Sequence, residues 1–409
     1  MKILILSLVY WPDSTGNGPI VTDLAGALVR RGHEVTVVCG FPHYGREETP
    51  ARYRGRLTMA EDHEGVHIRR VYHAGAGSSN PVWKVLGYLI FTLTAILGGL
   101  RTGPAEVILA PSPPLSVGIS AWILGICKRA PFVYNIQDLF PEAYVNLGAI
   151  RSPTMIRLCK SAARFVYRKA ARIVCVMESM AEQVGDYGVS DEKIVVIPNW
   201  SDPTEVTPCD SDNAFAAEHG INGDFVVQYA GNLGASQRLD LVVECAEELA
   251  GEGIQFVIIG SGTSRERIEE MVRSREVPNV TLLPTQPRER LSEVLAACDV
   301  ALVPLTAGMS ETSFPSKIYT IMASARPMVA ALDEGSSPRQ FIEHHECGIA
   351  IDPDEASQMI AGIRTLKRDP QRCHKMGQQA RRSIVELDQR QASIDAYEHL
   401  FAELVGEGQ

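Results

Sequence analysis

Short apolar runs of strand length alternate with amphipathic helical stretches along almost the whole chain, and this alternation is what most limits the folds it can adopt. Continuous runs of Val, Ile and Leu suit parallel strands that are covered on both faces. Strands that alternate with helices indicate βαβ units, so the sequence predicts a doubly wound α/β fold. The predicted strands are KILILSLVY, EVTVVCG, HIRRVYHA, EVILAP, PFVYNIQ, RIVCVM, KIVVIP, FVVQYAG, IQFVIIG, VTLLP, DVALVPL, PMVAAL and GIAID.

The length of 409 residues favours two domains, at about 100–200 residues each. The segment 198–214 is rich in Pro and Asp and has no apolar periodicity, so it is predicted to be a linker. The chain opens in the same way on both sides of it, with a strand, a glycine-bearing turn and a helix. We therefore predict Rossmann-like domains at 1–200 and 213–385, and a C-terminal helix at 386–409 that returns to the first domain.

Charge and cysteine content limit the partners and the compartment. The formal net charge of −10 argues against duplex nucleic acid as a general partner. The nine cysteines are odd in number, none forms a CxxC pair and most lie in apolar runs, so they are expected to be reduced core residues. The N-terminal stretch MKILILSLVYW is interpreted as a first strand rather than as a signal peptide. These features predict a cytoplasmic protein.

Several polar and glycine positions in the first half are candidates for ligand contact. Gly16 and Gly18 lie in the turn DSTGNGP, where glycine either lets backbone N–H groups approach an anion or simply provides a positive φ. Asp138 follows an apolar strand, at the edge where α/β proteins bind ligands. It is either a group that orients or deprotonates an acceptor hydroxyl or the N-cap of the next helix. His43, in FPHYG, also follows a strand end and is a further candidate.

A second glycine turn, QYAGNLG, opens the second half. Gly231, Asn232 and Gly234 can expose backbone amides to an anion in the same way. Arg238 lies at the start of the following helix, where it either faces that anion or is merely solvated.

The stretch MSETSFPSKIYTIM is the most informative one in the chain. Pro315 is predicted to start a helix, with Ser313, Ser316 and Lys317 around its N-terminus. A lysine is electrostatically unfavourable there, so an anionic ligand would explain Lys317; the alternative is a packed stem with a solvated head. Glu311 either accepts hydroxyls of a sugar or ribose or is an ordinary loop carboxylate.

The two DxD triplets are not expected to bind a metal. Asp210–Asp212 lies in the linker, and Asp352–Asp354 precedes a helix that Asp354 is expected to cap. The sequence has no His/Cys cluster of zinc spacing, no GxSxG and no P-loop motif. We therefore predict neither a metal nor a cofactor.

Residues 85–100, VLGYLIFTLTAILGGL, contain no charged residue and are bracketed by Trp83, Lys84 and Arg101. As a helix this run would be about 24 Å long, which is short of the ~30 Å hydrocarbon core of a bilayer. It is predicted to be either a helix that docks peripherally on a membrane surface or an ordinary buried helix.

Taken together, SLVYWPDSTGNGP, LVRRGHEVTVVCGFPHYG, NIQDLFPE, VIPNWSD, VVQYAGNLG and FPSKIYTIMASARPMVA resemble the family 4 glycosyltransferases of GT-B fold. The likeness covers about residues 1–385. It is strongest to bacterial enzymes of colanic-acid and O-antigen synthesis, of the fucosyl and acetamido-fucosamine transferase type. The resemblance implies two Rossmann-like domains with a cleft between them, and a metal-independent reaction that retains the anomeric configuration.

The resemblance also implies the substrates and their places. The donor would be a UDP- or GDP-linked sugar held mostly by the second domain, with Gly231, Asn232 and Gly234 facing its diphosphate. The acceptor would be a lipid-linked saccharide at the inner face of the plasma membrane, entering beside the first-domain glycine loop of Gly16 and Gly18. The product would serve the synthesis of a cell-surface polysaccharide such as O-antigen or capsule.

The chain departs from the family pattern at two places. The Glu-x7-Glu pair of the family falls on Thr312 and Thr320. The lysine that the family has in the GNLG loop is absent from its usual place, where Gln237 and Arg238 stand instead. The positive charge on the leaving diphosphate is therefore assigned to Arg238 and Lys317.

In a transferase, backbone N–H groups at 313–317 would also stabilise the charge on the leaving diphosphate.

Two alternatives to a transferase remain open on the sequence. A sugar-nucleotide epimerase on the same architecture would need no acceptor and no apolar segment at 85–100. A non-catalytic, membrane-associated binder of nucleotide sugars would tolerate the missing Glu pair.

Overall fold

The structure is a computed structural model that describes residues 1–13, 16–42, 51–74 and 81–406. The chain divides into two compact units, 1–199 with 391–409 and 200–390. The predicted linker is thus divided at Trp200, and the C-terminal segment belongs to the first unit from Gln391 onward, five residues later than predicted.

The first unit is built on an eight-stranded sheet. Its strands are β1 Lys2–Ser7, β2 Glu34–Gly40, β3 Thr58–His63, β4 Val66–Val71, β5 Val107–Pro111, β6 Phe132–Ile136, β7 Arg172–Cys175 and β8 Ile194–Val196. They lie in the order β3-β4-β2-β1-β5-β6-β7-β8. All neighbouring pairs are parallel except β3 and β4, which are antiparallel. The strand order reverses at β1, as in a doubly wound sheet.

The second unit has a six-stranded sheet that is parallel throughout. Its strands are β9 Phe225–Ala230, β10 Ile254–Ile259, β11 Val280–Leu283, β12 Val300–Pro304, β13 Met328–Ala331 and β14 Gly348–Ile351. They lie in the order β11-β10-β9-β12-β13-β14, so this order reverses at β9. Each unit is therefore a Rossmann-like α/β domain, and the fold class predicted from the apolar runs is confirmed.

Helices connect the strands of both sheets. They are α1 Gly18–Arg30, α2 Pro81–Leu100, α3 Val117–Lys128, α4 Glu142–Asn146, α5 Pro153–Lys169, α6 Glu178–Gly185, α7 Ala214–Glu218, α8 Leu239–Glu248, α9 Arg265–Ser274, α10 Leu291–Ala296, α11 Lys317–Ala323, α12 Ser337–His344, α13 Ala356–Arg368, α14 Pro370–Glu386 and α15 Gln389–Gly406. A proline stands in the first turn of α1, and Gly32 follows that helix with a positive φ of 85°.

Each predicted strand is present, but β3 was not predicted. Its sequence, TMAEDH, has no apolar run, and its side chains alternate between exposed and half-buried. It lies at the edge of the sheet and pairs only with β4, so one face can remain polar. The pattern that identifies buried parallel strands therefore cannot identify this one.

The C-terminal helix α15 packs on the first unit through polar as well as apolar contacts. Tyr397 and Phe401 are buried in it. Glu398 lies 2.5 Å from Arg31 and 2.7 Å from Nε2 of His33, and Asp395 also pairs with Arg31. His33 therefore has a structural role in this unit.

Helix α2 contains the apolar segment 85–100 and has two different faces. Phe91 and Ala95 are fully buried, and Gly98 faces Val71 of β4 so closely that a Cβ would lie 2.6 Å from its side chain. The opposite face leaves several large apolar side chains in solvent, with exposed fractions of 54% for Leu89, 63% for Leu93 and 52% for Leu97. The helix is thus neither wholly core nor wholly surface. Within the described part of the chain, no helix combines the length and the apolar character that crossing a membrane requires.

Candidate functional site

The loop after β9 carries the second glycine motif and is held tightly against the end of β10. The amide of Gly231 donates to the Ile259 carbonyl at 2.9 Å. A Cβ on Gly260 would lie only 1.9 Å from the Gly231 carbonyl oxygen, and Gly231 itself has a φ of 150°, so both positions require glycine. Asn232 is exposed, and its carbonyl accepts a 2.6 Å hydrogen bond from the Tyr229 hydroxyl. The loop thus has one defined backbone path at the carboxyl edge of the sheet, where α/β proteins bind ligands.

Gly234 is needed for the close packing of the same loop. It is buried, and a Cβ there would lie 2.7 Å from Nδ2 of Asn232. The glycine therefore lets the Asn232 side chain fold back over the loop.

Lys317 lies directly beside this glycine loop. It begins α11, and its Nζ lies 3.9 Å from the centroid of the Tyr229 ring and 3.1 Å from Oε1 of Gln237. A Cβ on Gly231 would lie 3.0 Å from the same Nζ. Among the described residues, its hydrogen-bond acceptor is thus a neutral amide rather than a carboxylate. The face of the Tyr229 ring attracts the cation but provides no formal negative charge.

Burial of the Lys317 ammonium lowers its pKa from 10.5 to about 7. The cause is desolvation, which disfavours the charged form of a lysine. An anion bound next to Nζ would reverse this effect, because a nearby opposite charge favours the ammonium. The geometry therefore describes a cation site that an anionic ligand would complete.

Arg238, the other predicted cation, has carboxylate partners instead. Its Nε lies 3.2 Å from Oδ1 of Asp240, and its NH1 pairs with Asp354. Its amide donates to the Pro304 carbonyl at 2.7 Å. The structure therefore brings Gln237 rather than Arg238 to Lys317. Neither Gln237 nor Tyr229 was predicted as a site residue, although Gln237 and Arg238 together stand where the family pattern has a lysine.

Asp354 does not cap the helix that follows it, so that prediction is wrong. The N-cap of α13 is Glu355, which makes no side-chain capping bond. Asp354 has a positive φ of 68°, and its carboxylate is instead directed to Arg238. A DxD aspartate is thus engaged with a guanidinium.

The loop before α11 differs from the prediction in detail. The helix begins at Lys317 rather than at Pro315, and Ser316 is its exposed N-cap residue. The Ser313 amide donates to the Met309 carbonyl at 3.0 Å, so it is not directed at a ligand as predicted. Glu311 is exposed in this loop.

A carboxylate that the sequence did not single out holds this loop. Asp333 follows β13 and accepts hydrogen bonds from the amides of Gly308 at 2.8 Å and Ser310 at 3.2 Å. The Ser310 hydroxyl also bonds to it. Asp333 thus fixes the segment that leads to Glu311. The position of Asp333 just after a predicted strand is the sequence feature that could have identified it.

Three of the predicted residues of the first unit lie at the carboxyl edge of its sheet: Gly16 precedes α1, Gly18 begins it and Asp138 follows β6. Gly16 has a positive φ of 66°, and a Cβ on Gly18 would lie 3.0 Å from the Asp13 carbonyl, so local geometry alone accounts for both glycines. Asp138 is half-buried two residues after β6. The N-cap of α4 is Pro141, so the alternative that Asp138 caps this helix is wrong. His43 lies outside the described residues.

In the part of the chain that the structure describes, no cluster of three or more His, Cys, Asp or Glu side chains could hold a metal ion. The nine cysteines are free, and most of them are buried.

Two family models match the chain, one on each side of the predicted linker. A Glycosyl transferase 4-like domain matches residues 15–200, and the Glycosyl transferases group 1 model matches residues 211–383. This chain is a glycosyltransferase. The two matches divide at the same place as the two Rossmann-like units of the enzyme.

Similar proteins agree with this assignment. WcaI of Escherichia coli, named as a colanic acid biosynthesis glycosyl transferase, is 24% identical over 384 residues, which cover 89% of this chain and 91% of WcaI. HepE of Anabaena, solved in complex with UDP and glucose, superposes with a TM-score of 0.72 at 18% identity, covering 98% of this chain and all of HepE. Sucrose-phosphate synthase of Thermosynechococcus elongatus superposes over the full length of both chains with a TM-score of 0.77 at 17% identity. The glycosyltransferase thus has the GT-B type of fold.

Proposed function

We propose that this glycosyltransferase moves a sugar from a nucleoside-diphosphate donor to a lipid-linked glycan in the synthesis of a cell-surface polysaccharide. The observation that carries the proposal is the position of Lys317, whose ammonium is desolvated beside the Gly231 loop and has an amide as its partner. A diphosphate bound to this loop would provide the negatively charged partner that the Lys317 ammonium does not have among the described residues.

The chemistry follows from where charge develops. When the bond between sugar and diphosphate breaks, negative charge grows on the outer phosphate oxygen. A cation already oriented towards that oxygen stabilises the transition state more than the ground state. Lys317 is held for this role by Gln237 and by the Tyr229 ring face, so little reorganisation is needed. The reaction proceeds with retention of the anomeric configuration and needs no metal ion.

The donor is a UDP- or GDP-linked sugar. Support for a uridine nucleotide comes from HepE, which was solved with UDP and with UDP-glucose. Support for a polysaccharide product comes from WcaI and its name. In our proposal the second unit binds the donor, and the first unit presents the acceptor near Gly16, Gly18 and Asp138.

The acceptor is lipid-linked, and the enzyme reaches it by peripheral binding at the inner face of the plasma membrane. Support comes from the exposed apolar face of α2, which includes Leu89, Leu93 and Leu97. Trp83 at the start of this helix is also exposed, and aromatic side chains favour the headgroup region. Binding depends mainly on buried apolar area, because the net charge of −10 does not favour anionic lipid.

A transfer assay with isolated membranes tests the proposal. Labelled UDP- and GDP-sugars are incubated with the purified enzyme, with and without membranes and with and without EDTA. We expect a labelled glycolipid that forms only with membranes and survives EDTA. Interconversion of the nucleotide sugar without membranes would indicate an epimerase, and donor binding without turnover would indicate a non-catalytic binder; either result contradicts the proposal. Loss of transfer in EDTA that magnesium restores would contradict metal independence.

A further inference from the structure

A fully buried arginine in the first unit, Arg70, connects the segment that follows β1 to the end of the neighbouring strand β2. Its side chain has no solvent exposure. NH2 donates to the Trp11 carbonyl at 2.6 Å, and NH1 donates to the Gly40 carbonyl at 3.2 Å. Trp11 follows β1 in the loop that leads to Gly16 and Gly18, and Gly40 ends β2. One guanidinium thus sets the distance between the two chain segments.

Glu61, in the antiparallel hairpin of β3 and β4, provides the negative charge that balances Arg70. Its Nε pairs with Glu61 of β3, and the Tyr53 hydroxyl donates to the same carboxylate at 3.1 Å. The guanidinium carbon lies 5.0 Å from the centroid of the Tyr53 ring. Removing one partner of a buried ion pair strongly destabilises the fold, because the remaining charge is left uncompensated. The contacts of Arg70 therefore hold its guanidinium in one position.

Trp11 is attached to the same hairpin through its ring as well as its backbone. The indole stacks on His63 of β3 with a centroid distance of 3.9 Å and an interplanar angle of 14°. Its amide donates to the Thr22 hydroxyl of α1 at 3.1 Å. Trp11, in the segment that follows β1, is therefore held from both sides, by the hairpin and by the helix. This gives the edge hairpin, which the doubly wound pattern does not require, a defined mechanical role.

We propose that Arg70 is a positioning residue for the acceptor: it fixes the β1–α1 loop and the end of β2 so that the acceptor hydroxyl meets the donor in one orientation. This inference rests on the proposed function, in which the first unit presents the acceptor. Arginine is required because its planar guanidinium can donate to two separate carbonyls and to Glu61 at once, whereas a lysine ammonium on a flexible stem cannot keep that geometry.

The test compares Arg70→Lys with the wild type in steady-state transfer. We expect kcat/KM for the acceptor to fall roughly 10- to 100-fold, mainly through a higher acceptor KM, because a misplacement of about 1 Å costs this much. The dissociation constant for UDP should stay within about twofold, because no bond of Arg70 touches the donor site. A purely structural role would lower the amount of active enzyme, and hence kcat, with KM unchanged. An unchanged acceptor KM, or equal effects on donor and acceptor, would overturn the inference.

Tyr53→Phe is the matched control. It removes the hydroxyl that bonds to Glu61 but leaves the bonds of Arg70 to Trp11 and Gly40. We expect its acceptor KM to equal that of the wild type. If Arg70→Lys does not fold, Glu61→Gln keeps the hydrogen-bond acceptor while removing its charge, and an acceptor KM raised by about threefold is then expected.

Amide hydrogen exchange gives a readout that does not need activity. The amides of Trp11, Asp13 and Gly40 are hydrogen-bonded in the loops that Arg70 joins. They should exchange faster in Arg70→Lys and at wild-type rates in Tyr53→Phe. Unchanged exchange would contradict the positioning role. An enzyme that transfers no sugar even as wild type would contradict the proposed function itself, and with it the acceptor role of Arg70.

Discussion

Arg70 in the first unit and Lys317 in the second are both cations that the fold removes from water, and they differ in what the protein provides as a partner. Arg70 has a carboxylate, two backbone carbonyls and an aromatic ring. Lys317 has one amide oxygen and an aromatic ring. A cation whose partners are all internal holds the fold in place. A desolvated cation with a neutral partner is costly in the free enzyme, and a bound anion would remove that cost.

Replacing Lys317, unlike replacing a cation whose partners are all internal, should strongly reduce catalysis. We predict that Lys317→Met lowers kcat about 100- to 1000-fold, as for the loss of one preorganised charge stabiliser. Methionine has similar length and no charge, so the fold should remain intact. Single-turnover transfer with the labelled donor measures this effect. Turnover at the wild-type rate in a folded variant would show that Lys317 does not serve the chemistry.

The same substitution should stabilise the free enzyme. The pKa of Lys317 is about 7 in the folded chain against 10.5 ordinarily, so between these values the unfolded chain binds more protons and stability rises with pH. The cost of the buried ammonium is therefore fully present below pH 7. We expect Lys317→Met to raise the free energy of unfolding by on the order of 2 kcal/mol at pH 6.5. The gain should shrink as pH rises to 9 in denaturant titrations. A constant difference across this range would contradict the low pKa.

Asp138 tests whether the first unit acts on the acceptor rather than on the donor. It lies just beyond β6 and does not cap α4. We predict that Asp138→Asn lowers transfer about 100-fold, as for loss of a general base. The dissociation constant for UDP, measured by calorimetry, should not change. A collapse of donor affinity with unchanged turnover of bound donor would place Asp138 in another role.

The exposed face of α2 should govern membrane binding. We predict that replacing Leu89, Leu93 and Leu97 with Ser lowers partitioning into phosphatidylethanolamine–phosphatidylglycerol vesicles at least about tenfold. Each substitution removes apolar surface that the membrane would otherwise bury. Ile90, which is half-buried, is left unchanged so that the core is preserved. Transfer to a water-soluble acceptor should not change.

The control for this experiment uses exposed apolar residues of the second unit. Val385 and Leu387 are exposed to a similar degree, and replacing both with Ser should leave vesicle binding unaltered. Equal release by both sets would show that α2 is not the docking surface. Unfolding of the α2 variant would show that this face is core.

The smallest effect is expected at Arg238. Because its guanidinium is engaged with Asp240 and Asp354, we predict that Arg238→Met lowers kcat less than about threefold. The measurement is the same single-turnover assay. A loss comparable to that of Lys317→Met would show that Arg238 leaves its carboxylates for the diphosphate.

The sequence predicts the two sheets well because their strands are buried on both faces. The strand β3 escapes prediction because its polar sequence pairs only at an edge. Within the site, Lys317 lies beside Gly231 and bonds to Gln237. Arg238, which was predicted to provide the same charge, is directed to carboxylates instead. Gln237 and Arg238 are consecutive but differ in their place in the backbone, because Arg238 is the N-cap residue of α8. Gln237 bridges to Leu305, and Arg238 is directed away to carboxylates.

The contacts of Asp354 and Asp333 could not be predicted from the sequence for a related reason. Asp354 adopts a positive φ that redirects its carboxylate from the helix to Arg238. Asp333 bonds to amides more than twenty residues earlier in the chain. Such contacts depend on how separate loops meet at the sheet edge, which local patterns do not encode.

Proton uptake on UDP binding shows whether the ammonium of Lys317 pairs with the diphosphate of the donor. Calorimetric titrations at pH 8, in buffers of different ionisation enthalpy, count the protons that accompany binding. At this pH the phosphates of UDP are fully ionised, because their second pKa lies near 6. Burial raises the pKa of Tyr229, so this neighbour stays neutral. We expect uptake of about one proton by the wild type and none by Lys317→Met. Binding enthalpies that do not depend on the buffer, or the same uptake in the variant, would contradict this pairing.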